Sequence, residues 1–142
     1  MAPKIKRKVL IVEDSPVTSK YLEKLFFNDG CLVCLAFDGV SAIQKAKEFL
    51  PHCILLDIII PDMNGKEVAK KLYADPVTRP IPVVFLTATV DVNKDKGHEA
   101  IDIDGRSYPV FAKPIHERKI LSVVRKTINR FVHSNKPAQL AP

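Results

Sequence analysis

The chain has 142 residues, 46% of them hydrophobic and 27% charged, and a formal net charge of +6, which suits one globular domain with its own core. No apolar run approaches the roughly 20 residues of a membrane span, and the first eight residues lack the pattern of a signal peptide, so we expect a cytoplasmic protein without membrane contact. The cations gather at the two ends without interleaved aromatic residues, which argues against a nucleic-acid partner.

Five short apolar runs alternate along the chain with segments of helical periodicity. Continuous apolarity over about four residues is typical of strands buried on both faces. Cys31 and Cys34 lie in the second run with CxxC spacing, but residues three apart on a strand face opposite ways, so we interpret the cysteines as buried hydrophobic residues. The runs are Val9–Val12, Cys31–Phe37, Cys53–Leu56, Val83–Leu86 and Val110–Ala112.

The helical segments begin and end at recognisable residues. Ser15 is placed to cap the first helix, with Pro16 in its first turn, and Pro51 stops the second. The last helix is long, with an apolar stripe from Ile120 to Phe131. Past Val132 periodicity is lost, so we expect one domain over residues 1–132 and a disordered tail over 133–142.

Alternating strands and helices with short loops predict an α/β fold with parallel crossovers. We expect a flavodoxin-like, doubly wound, five-stranded parallel sheet in the order 2-1-3-4-5, with about five helices. Between Leu86 and Val110 the sequence has no apolar stripe of helical length and is interrupted by Gly97, Gly105 and Pro109. The fourth helix is therefore expected to be short, distorted or mobile.

Polar residues follow four of the five predicted strands. The first run ends in Glu13 and Asp14, the third in Asp57, the fourth in Thr87 and the fifth in Lys113. Doubly wound sheets bind ligands beyond the carboxyl ends of their strands, where these side chains would meet. Clustered carboxylates suit Mg²⁺, a carboxylate can act as nucleophile toward phosphorus, and a lysine can pair with phosphoryl oxygens. Together they indicate a magnesium-dependent phosphoryl site.

The motifs at these strand ends are Val-Leu-Ile-Val-Glu13-Asp14-Ser, Leu-Leu-Asp57-Ile-Ile-Ile-Pro61-Asp-Met-Asn-Gly65, Phe-Leu-Thr87-Ala88 and Phe-Ala-Lys113-Pro114. In combination they resemble the receiver domains of response regulators in two-component signalling, the CheY-like family, over residues 8 to about 132.

The resemblance implies a role for each matching residue. Asp57 would accept the phosphoryl group, and Thr87 and Lys113 would contact it. Mg²⁺ would be bound by Asp14, Asp57 and the backbone carbonyl of Ile59, with Glu13 helping through water. The Lys113–Pro114 peptide would be cis.

The resemblance also implies partners. The phosphoryl group would come from a histidine kinase or a histidine phosphotransfer protein that docks near the first helix, around residues 15–22. We expect a stand-alone receiver, a monomer or weak dimer, that signals through phosphorylation-dependent contact with another protein. The ten or so residues after Val132 are too few for a DNA-binding domain; in a longer protein, a further domain could carry any output.

One position departs from the family pattern, and two others lie where the family tunes the lifetime of the phosphoryl group. Val110 stands where most receivers carry an aromatic residue that reports phosphorylation; Phe111 is expected in the core, and Tyr108 is a candidate substitute. Ile59 and Thr89 lie two residues beyond Asp57 and Thr87, where the family tunes the access of water. Because Ile59 cannot orient water, we expect slow self-dephosphorylation.

Two alternatives remain open from the sequence. The chain could be a receiver fold that binds proteins without being phosphorylated, which Val110 and the weak fourth helix favour. It could also be a phosphohydrolase with an aspartyl nucleophile, but haloacid-dehalogenase-like enzymes need a second aspartate where Ile59 stands.

Overall fold

The structure is a computed structural model that describes residues 6–88 and 100–140, the last six of them by backbone alone. Its elements, in chain order, are β1 (Lys8–Val12), α1 (Pro16–Asn28), β2 (Leu32–Ala36), α2 (Gly39–Phe49), β3 (Cys53–Asp57), α3 (Gly65–Ala74), β4 (Val83–Thr87), β5 (Ala100–Ile103), β6 (Arg106–Ala112) and α4 (Glu117–Leu140). No helix among the described residues is long and apolar enough to cross a bilayer.

The described strands form one mostly parallel sheet in the order β2-β1-β3-β4-β6-β5. Its first five members are parallel and follow the predicted order 2-1-3-4-5, so the doubly wound α/β fold is confirmed. The register pairs Val12 with both Ala36 and Leu56, and Thr87 with Ala112. This alignment brings the carboxyl ends of β1, β3, β4 and β6 to one edge of the sheet.

Two apolar layers cover the two faces of the sheet. On one face, α2 and α3 bury Ala42, Ala46, Val68, Ala69 and Leu72. On the other face, α1 and α4 bury Leu22, Phe26, Ile120, Val124 and Ile128. Because β3 and β4 are buried along their whole length, each of their apolar side chains packs against one layer or the other, which explains the apolar sequences that precede Asp57 and Thr87.

Three helices begin at side chains that cap them. The Ser15 hydroxyl accepts the Thr18 N–H, as expected from the sequence, and Pro16 opens α1. Asp38 and Asn64 do the same for α2 and α3. Each cap satisfies an N–H group that lacks a partner within its helix.

The cysteine interpretation is confirmed. Cys31 packs into the layer of α1 and α4, whereas Cys34 packs against the layer of α2 and α3, so the two thiols lie on opposite faces. All three cysteines are free. Burial raises the pKa of the Cys53 thiol to about 12, which keeps it protonated and unreactive.

A β-hairpin forms where the sequence analysis expected irregular chain, and the sheet has six strands among the described residues rather than five. β5 pairs antiparallel with β6, from Ala100 opposite Pro109 to Ile103 opposite Arg106. The two residues between the strands, Asp104 and Gly105, both have positive φ, +50° and +84°. An Asp-Gly pair with this backbone makes the tight turn that matches the twist of a hairpin, so Gly105 joins two strands rather than interrupting a helix.

The expected fourth helix falls largely on residues 89–99, which lie outside the described residues, and residues 100–108 belong to the hairpin. The helix predicted as the fifth is therefore α4. It runs from Glu117 to Leu140 and continues past Val132, where the sequence analysis placed the start of a disordered tail. The domain boundary at residue 132 stays a prediction.

An ionic cluster ties the last helix to the first. The Asp29 carboxylate, just after α1, accepts hydrogen bonds from Arg125 of α4 and from Arg7 at the start of β1, and Arg7 also donates to the Asp29 carbonyl at 2.7 Å. The hydrogen bond from Arg125, reinforced by both guanidinium charges, lowers the pKa of Asp29.

We predict that Asp29→Asn lowers the free energy of unfolding at pH 7 by about 1 kcal/mol, the upper end for partly exposed ion pairs. Because the pKa of Asp29 is lower in the folded state, its contribution is full above the pKa of the unfolded chain and is lost as pH falls through the folded value. Urea unfolding at pH 7 and at pH 3 should therefore show the difference from wild type shrinking in acid. Asp104→Asn, on the exposed turn, is the matched control, and an equal loss in that variant contradicts the prediction.

Candidate functional site

The carboxyl edge of the sheet gathers the residues that the sequence singled out. Asp57 and Thr87 are the last residues of β3 and β4, and Glu13 and Lys113 directly follow β1 and β6. Glu13, Asp57 and Thr87 are almost fully buried, with exposed fractions of 1%, 4% and 0%. The buried carboxylates of Glu13 and Asp57 need partners that compensate for the loss of water, so the contacts of these two groups are informative.

The Lys113 ammonium group pairs with two of these carboxylates. Its Nζ atom lies 2.6 Å from Glu13 Oε1 and 2.8 Å from Asp57 Oδ2. The backbone fixes this position, because Lys113 N donates to the Thr87 carbonyl at 2.9 Å and so extends the pairing of β4 with β6 by one residue. The sequence predicted that these side chains would meet at this edge, but it did not indicate the contact of Lys113 with Glu13.

The pairing shifts the ionisation of its members. Burial favours the neutral form of Lys113, but the hydrogen bonds to Asp57 and Glu13 outweigh it and raise the pKa of the ammonium group. Burial also raises the pKa of Glu13, against the opposing hydrogen bonds from Lys113 and Ser15. The site thus holds a permanent cation between two carboxylates.

The acidic residues have the arrangement of a cation site. One carboxylate oxygen from each of Glu13, Asp14 and Asp57 lies within 4.8 Å of the others. Asp14 is exposed, and no hydrogen bond or ion pair engages its side chain within the described part of the chain. The cluster brings three carboxyl groups and one ammonium group together, and oxygen donors are the ligands that Mg²⁺ prefers. The residues present therefore fit a divalent cation.

The loop after Asp57 is folded tightly against it. Asp57 Oδ1 accepts the Ile59 N–H at 3.1 Å, so both carboxylate oxygens are already engaged. Gly65 N donates to the Ile58 carbonyl at 2.7 Å, and a Cβ atom on Gly65 would lie 2.4 Å from the Asp57 carbonyl oxygen. Only glycine allows α3 to begin this close to the end of β3.

Residues 9–125 match the family model described as "Response regulator receiver domain". The chain belongs to the response regulator receiver family. It is 33% identical over 124 residues to the response regulator PleD of Caulobacter vibrioides, covering 87% of this chain and 26% of PleD. It is 32% identical over 127 residues to the probable transcriptional regulator ycf29 of Pyropia yezoensis, covering 88% of this chain and 54% of that protein. The chain thus spans about a quarter to a half of the length of these relatives.

Solved structures agree on the fold. The receiver domain of a sensor histidine kinase from Pseudomonas aeruginosa superposes with a TM-score of 0.75 at 23% identity, covering 88% of this chain and 99% of that one. That crystal structure is described as holding a magnesium ion in its active-site cleft. Receiver domains act in two-component systems as signalling phosphoacceptors rather than as conventional enzymes.

In this receiver Val110, at the position where most receivers carry an aromatic residue, and its neighbour Phe111 lie on opposite faces of β6. Val110 is 3% exposed within the layer of α2 and α3, whereas Phe111 packs against the layer of α1 and α4, as expected for a core residue. Tyr108 shares the face of Val110, and its ring packs edge-on against Phe85 with centroids 5.4 Å apart. Phe85 lies two residues before Thr87, so Tyr108 contacts the strand that carries Thr87. The Lys113–Pro114 peptide is cis, as the resemblance implied.

The loop of this receiver is also anchored by Asp62, which the sequence analysis passed over. Its Oδ1 and Oδ2 accept the N–H groups of Gly39 and Val40 at 2.6 and 2.9 Å, and these bonds lower the pKa of Asp62. The carboxylate thereby adds a second set of acceptors to the start of α2, which Asp38 already caps. Asp62 lies three residues before Gly65, the first residue of α3, and nothing in the sequence indicated that its carboxylate would bind the start of α2 instead.

We predict that Asp62→Ala increases the amide hydrogen exchange of Gly39 and Val40 about tenfold, because both N–H groups lose their acceptor. Asp62→Asn keeps one oxygen acceptor and should restore protection at one of the two amides. The Ser41 N–H donates to the Asp38 carboxylate, which these variants leave unchanged, so the exchange of the Ser41 amide serves as the internal control. Unchanged exchange at Gly39 and Val40 in the alanine variant would show that Asp62 does not anchor the loop.

Proposed function

We propose that this receiver accepts a phosphoryl group on Asp57 from the phosphohistidine of a histidine kinase or a histidine phosphotransfer protein. The supporting observation is the pairing of Asp57 Oδ2 with Lys113 at 2.8 Å in an acidic cluster at the edge of the sheet where doubly wound folds bind ligands. The Asp57 side chain is 6% exposed and hydrogen-bonded on both oxygens, so its orientation is set before any donor arrives.

The reaction would form one bond and break one. An Asp57 carboxylate oxygen attacks phosphorus, the P–N bond to the donor imidazole breaks, and the nitrogen keeps the electron pair, leaving an acyl phosphate on Asp57. Charge accumulates on the phosphoryl oxygens during transfer, and most of the catalysis consists of positioning and neutralisation. Lys113 supplies a fixed positive charge for these oxygens. Thr87, at the end of the neighbouring strand, is proposed to donate its hydroxyl to them.

Mg²⁺ is the proposed cofactor. Asp14, Asp57 and the backbone carbonyl of Ile59 would hold it, with Glu13 assisting through water. When bound, it would neutralise charge on the carboxylates and the phosphoryl oxygens. Glu13 is engaged on both oxygens, by Lys113 and by the Ser15 N–H at 3.0 Å, which agrees with an indirect role.

We further propose that the chain works as a stand-alone cytoplasmic receiver, a monomer or weak dimer, and that its output is contact with another protein. The donor is proposed to dock around residues 15–22. Val17 of α1, three residues after Asp14, supports this placement, because 80% of it is exposed.

The phosphohydrolase alternative is not favoured. Ile59, in the loop after Asp57, stands where such an enzyme would need its second aspartate, and it is 59% exposed.

We predict that incubation with acetyl phosphate and Mg²⁺ adds about 80 Da, one phosphoryl group, to the intact protein by mass spectrometry. Asp57→Asn should abolish the added mass, and EDTA should suppress it in the wild type. Asp104→Asn, which changes an exposed aspartate away from the site, should gain the same mass as the wild type. A wild-type protein that gains nothing would instead favour a receiver fold that acts without phosphorylation.

We predict that the phosphoryl group on Asp57 persists for minutes or longer in Mg²⁺, because the apolar side chain of Ile59 cannot orient an attacking water. Ile59→Asn, which supplies a hydrogen-bonding amide, should shorten the half-life about tenfold, the size of one lost or gained water-orienting hydrogen bond. Val40→Asn makes the same kind of change at an exposed apolar residue of α2 and should leave the half-life unchanged. A wild-type half-life of seconds would contradict the prediction. Thr89, the other residue expected to tune the access of water, lies outside the described residues.

A further inference from the structure

A stack of arginine and tyrosine side chains lies between α3 and the hairpin, away from Asp57. The guanidinium group of Arg106, on β6, lies 4.4 Å from the centroid of the Tyr73 ring and 5.6 Å from that of Tyr108. Arg79 contacts the same Tyr73 ring at 5.4 Å. We call Tyr73, Arg79, Arg106 and Tyr108 the Arg–Tyr stack.

The two arginines of the stack differ in how their N–H groups are used. Arg79 donates through Nε to the Tyr73 carbonyl at 2.7 Å and so satisfies the end of α3. Arg106 is exposed, and among the described residues no acceptor takes a hydrogen bond from its guanidinium group and no carboxylate lies within 4.0 Å of it. Its guanidinium group is therefore held in place by the rings, with no acceptor for its N–H groups in the described part of the chain.

The carboxylates around the stack are engaged elsewhere. Asp104 lies 3.9 Å from Lys70, and Asp75 lies 3.0 Å from Lys47 and also accepts the Val77 N–H. Asp75 also partly balances the charge of Arg79, which helps to lower the pKa of Asp75, whereas no carboxylate of the described residues forms an ion pair with Arg106. A ligand that brings a carboxylate would complement Arg106.

We propose that the Arg–Tyr stack is a docking surface for an acidic segment of a partner protein, in which a carboxylate of the partner pairs with Arg106. A planar guanidinium group binds a carboxylate through two parallel hydrogen bonds, and the stacking has already restricted its rotation. Arginine and tyrosine are the residues that contribute most to protein interfaces, and 46% of Tyr73 is exposed.

The size and the charge pattern of the surface favour a protein over other anionic partners. The cavity beneath the stack has a volume of about 10 Å³, so it admits no apolar anchor and recognition must occur on the surface. The surface presents two arginines, fewer than the roughly four to eight clustered cations that hold a protein on an anionic membrane.

The surface is also connected to the strand that carries Thr87, through the edge-on contact of Tyr108 with Phe85. The stack exists without a phosphoryl group on Asp57, so the proposal stands or falls independently of the proposed function.

The test uses the whole chain, uniformly labelled with ¹⁵N, and a capped peptide of about fifteen residues with Glu at every third position and two Phe, a length that covers one helix-sized or strand-sized interface. Titration should shift the Arg106 Nε–Hε signal and the amides of β5 and β6. Arg106→Lys keeps the charge but loses the planar group and its stacking, and should weaken binding about tenfold. Arg118→Lys, the same change at an exposed arginine of α4, should have no effect. Tyr73→Leu, which removes one ring of the stack, should weaken binding as well.

Several results would overturn the proposal. They are equal weakening by the two lysine substitutions, equal binding of the peptide with Gln in place of Glu, and absence of any shift at millimolar peptide. Shifts of Arg106 produced equally by inorganic phosphate or by vesicles of anionic lipid would assign the surface to a different ligand. The free energy of unfolding of each variant, measured in urea, distinguishes a variant that binds weakly because it is unfolded from one that is folded but has lost the contact.

Discussion

The ammonium group of Lys113 holds the site together. The parallel register brings three strand ends together, and this cation lies between their two buried carboxylates, Glu13 at 2.6 Å and Asp57 at 2.8 Å, where it offsets their mutual repulsion. The cation in turn depends on the pairing of β4 with β6, which positions its backbone. The same contacts that allow the acidic cluster to exist in the folded state place a positive charge where a phosphoryl group would arrive. Stability and function thus draw on one arrangement.

Much of the fold could be predicted because burial on both faces leaves an unmistakable pattern. β3 and β4 are apolar up to their last residues, Asp57 and Thr87, and the helices between strands require parallel crossovers, so the order of the first five strands follows. The hairpin was missed for a local reason. Gly105 was interpreted as a helix breaker, although Asp104-Gly105 after the alternating Ile101-Asp102-Ile103 is typical of a tight turn between antiparallel strands.

The candidate site could be predicted to the level of which residues meet, but not of how they pair. Strand ends gave Asp57, Thr87 and Lys113, because parallel strands deliver their last residues to one edge. The contact of Lys113 with Glu13 and the bond of Asp62 to the start of α2 depend on side-chain directions in loops. Loop conformation follows from several distant contacts at once, and neither residue type nor spacing encodes it.

The pairing of β4 with β6 covers only three residue pairs, from Phe85 opposite Val110 to Thr87 opposite Ala112. β6 then continues backward beyond β4, and β5 is joined to the sheet through β6 alone among the described strands. Backbone pairing therefore joins the hairpin to the other described strands at the end of β6 that lies next to Thr87, whereas the turn at Asp104 lies at the opposite end of that strand. Between these two ends the hairpin is held by side-chain packing, through Tyr108, Ile101 and Ile103.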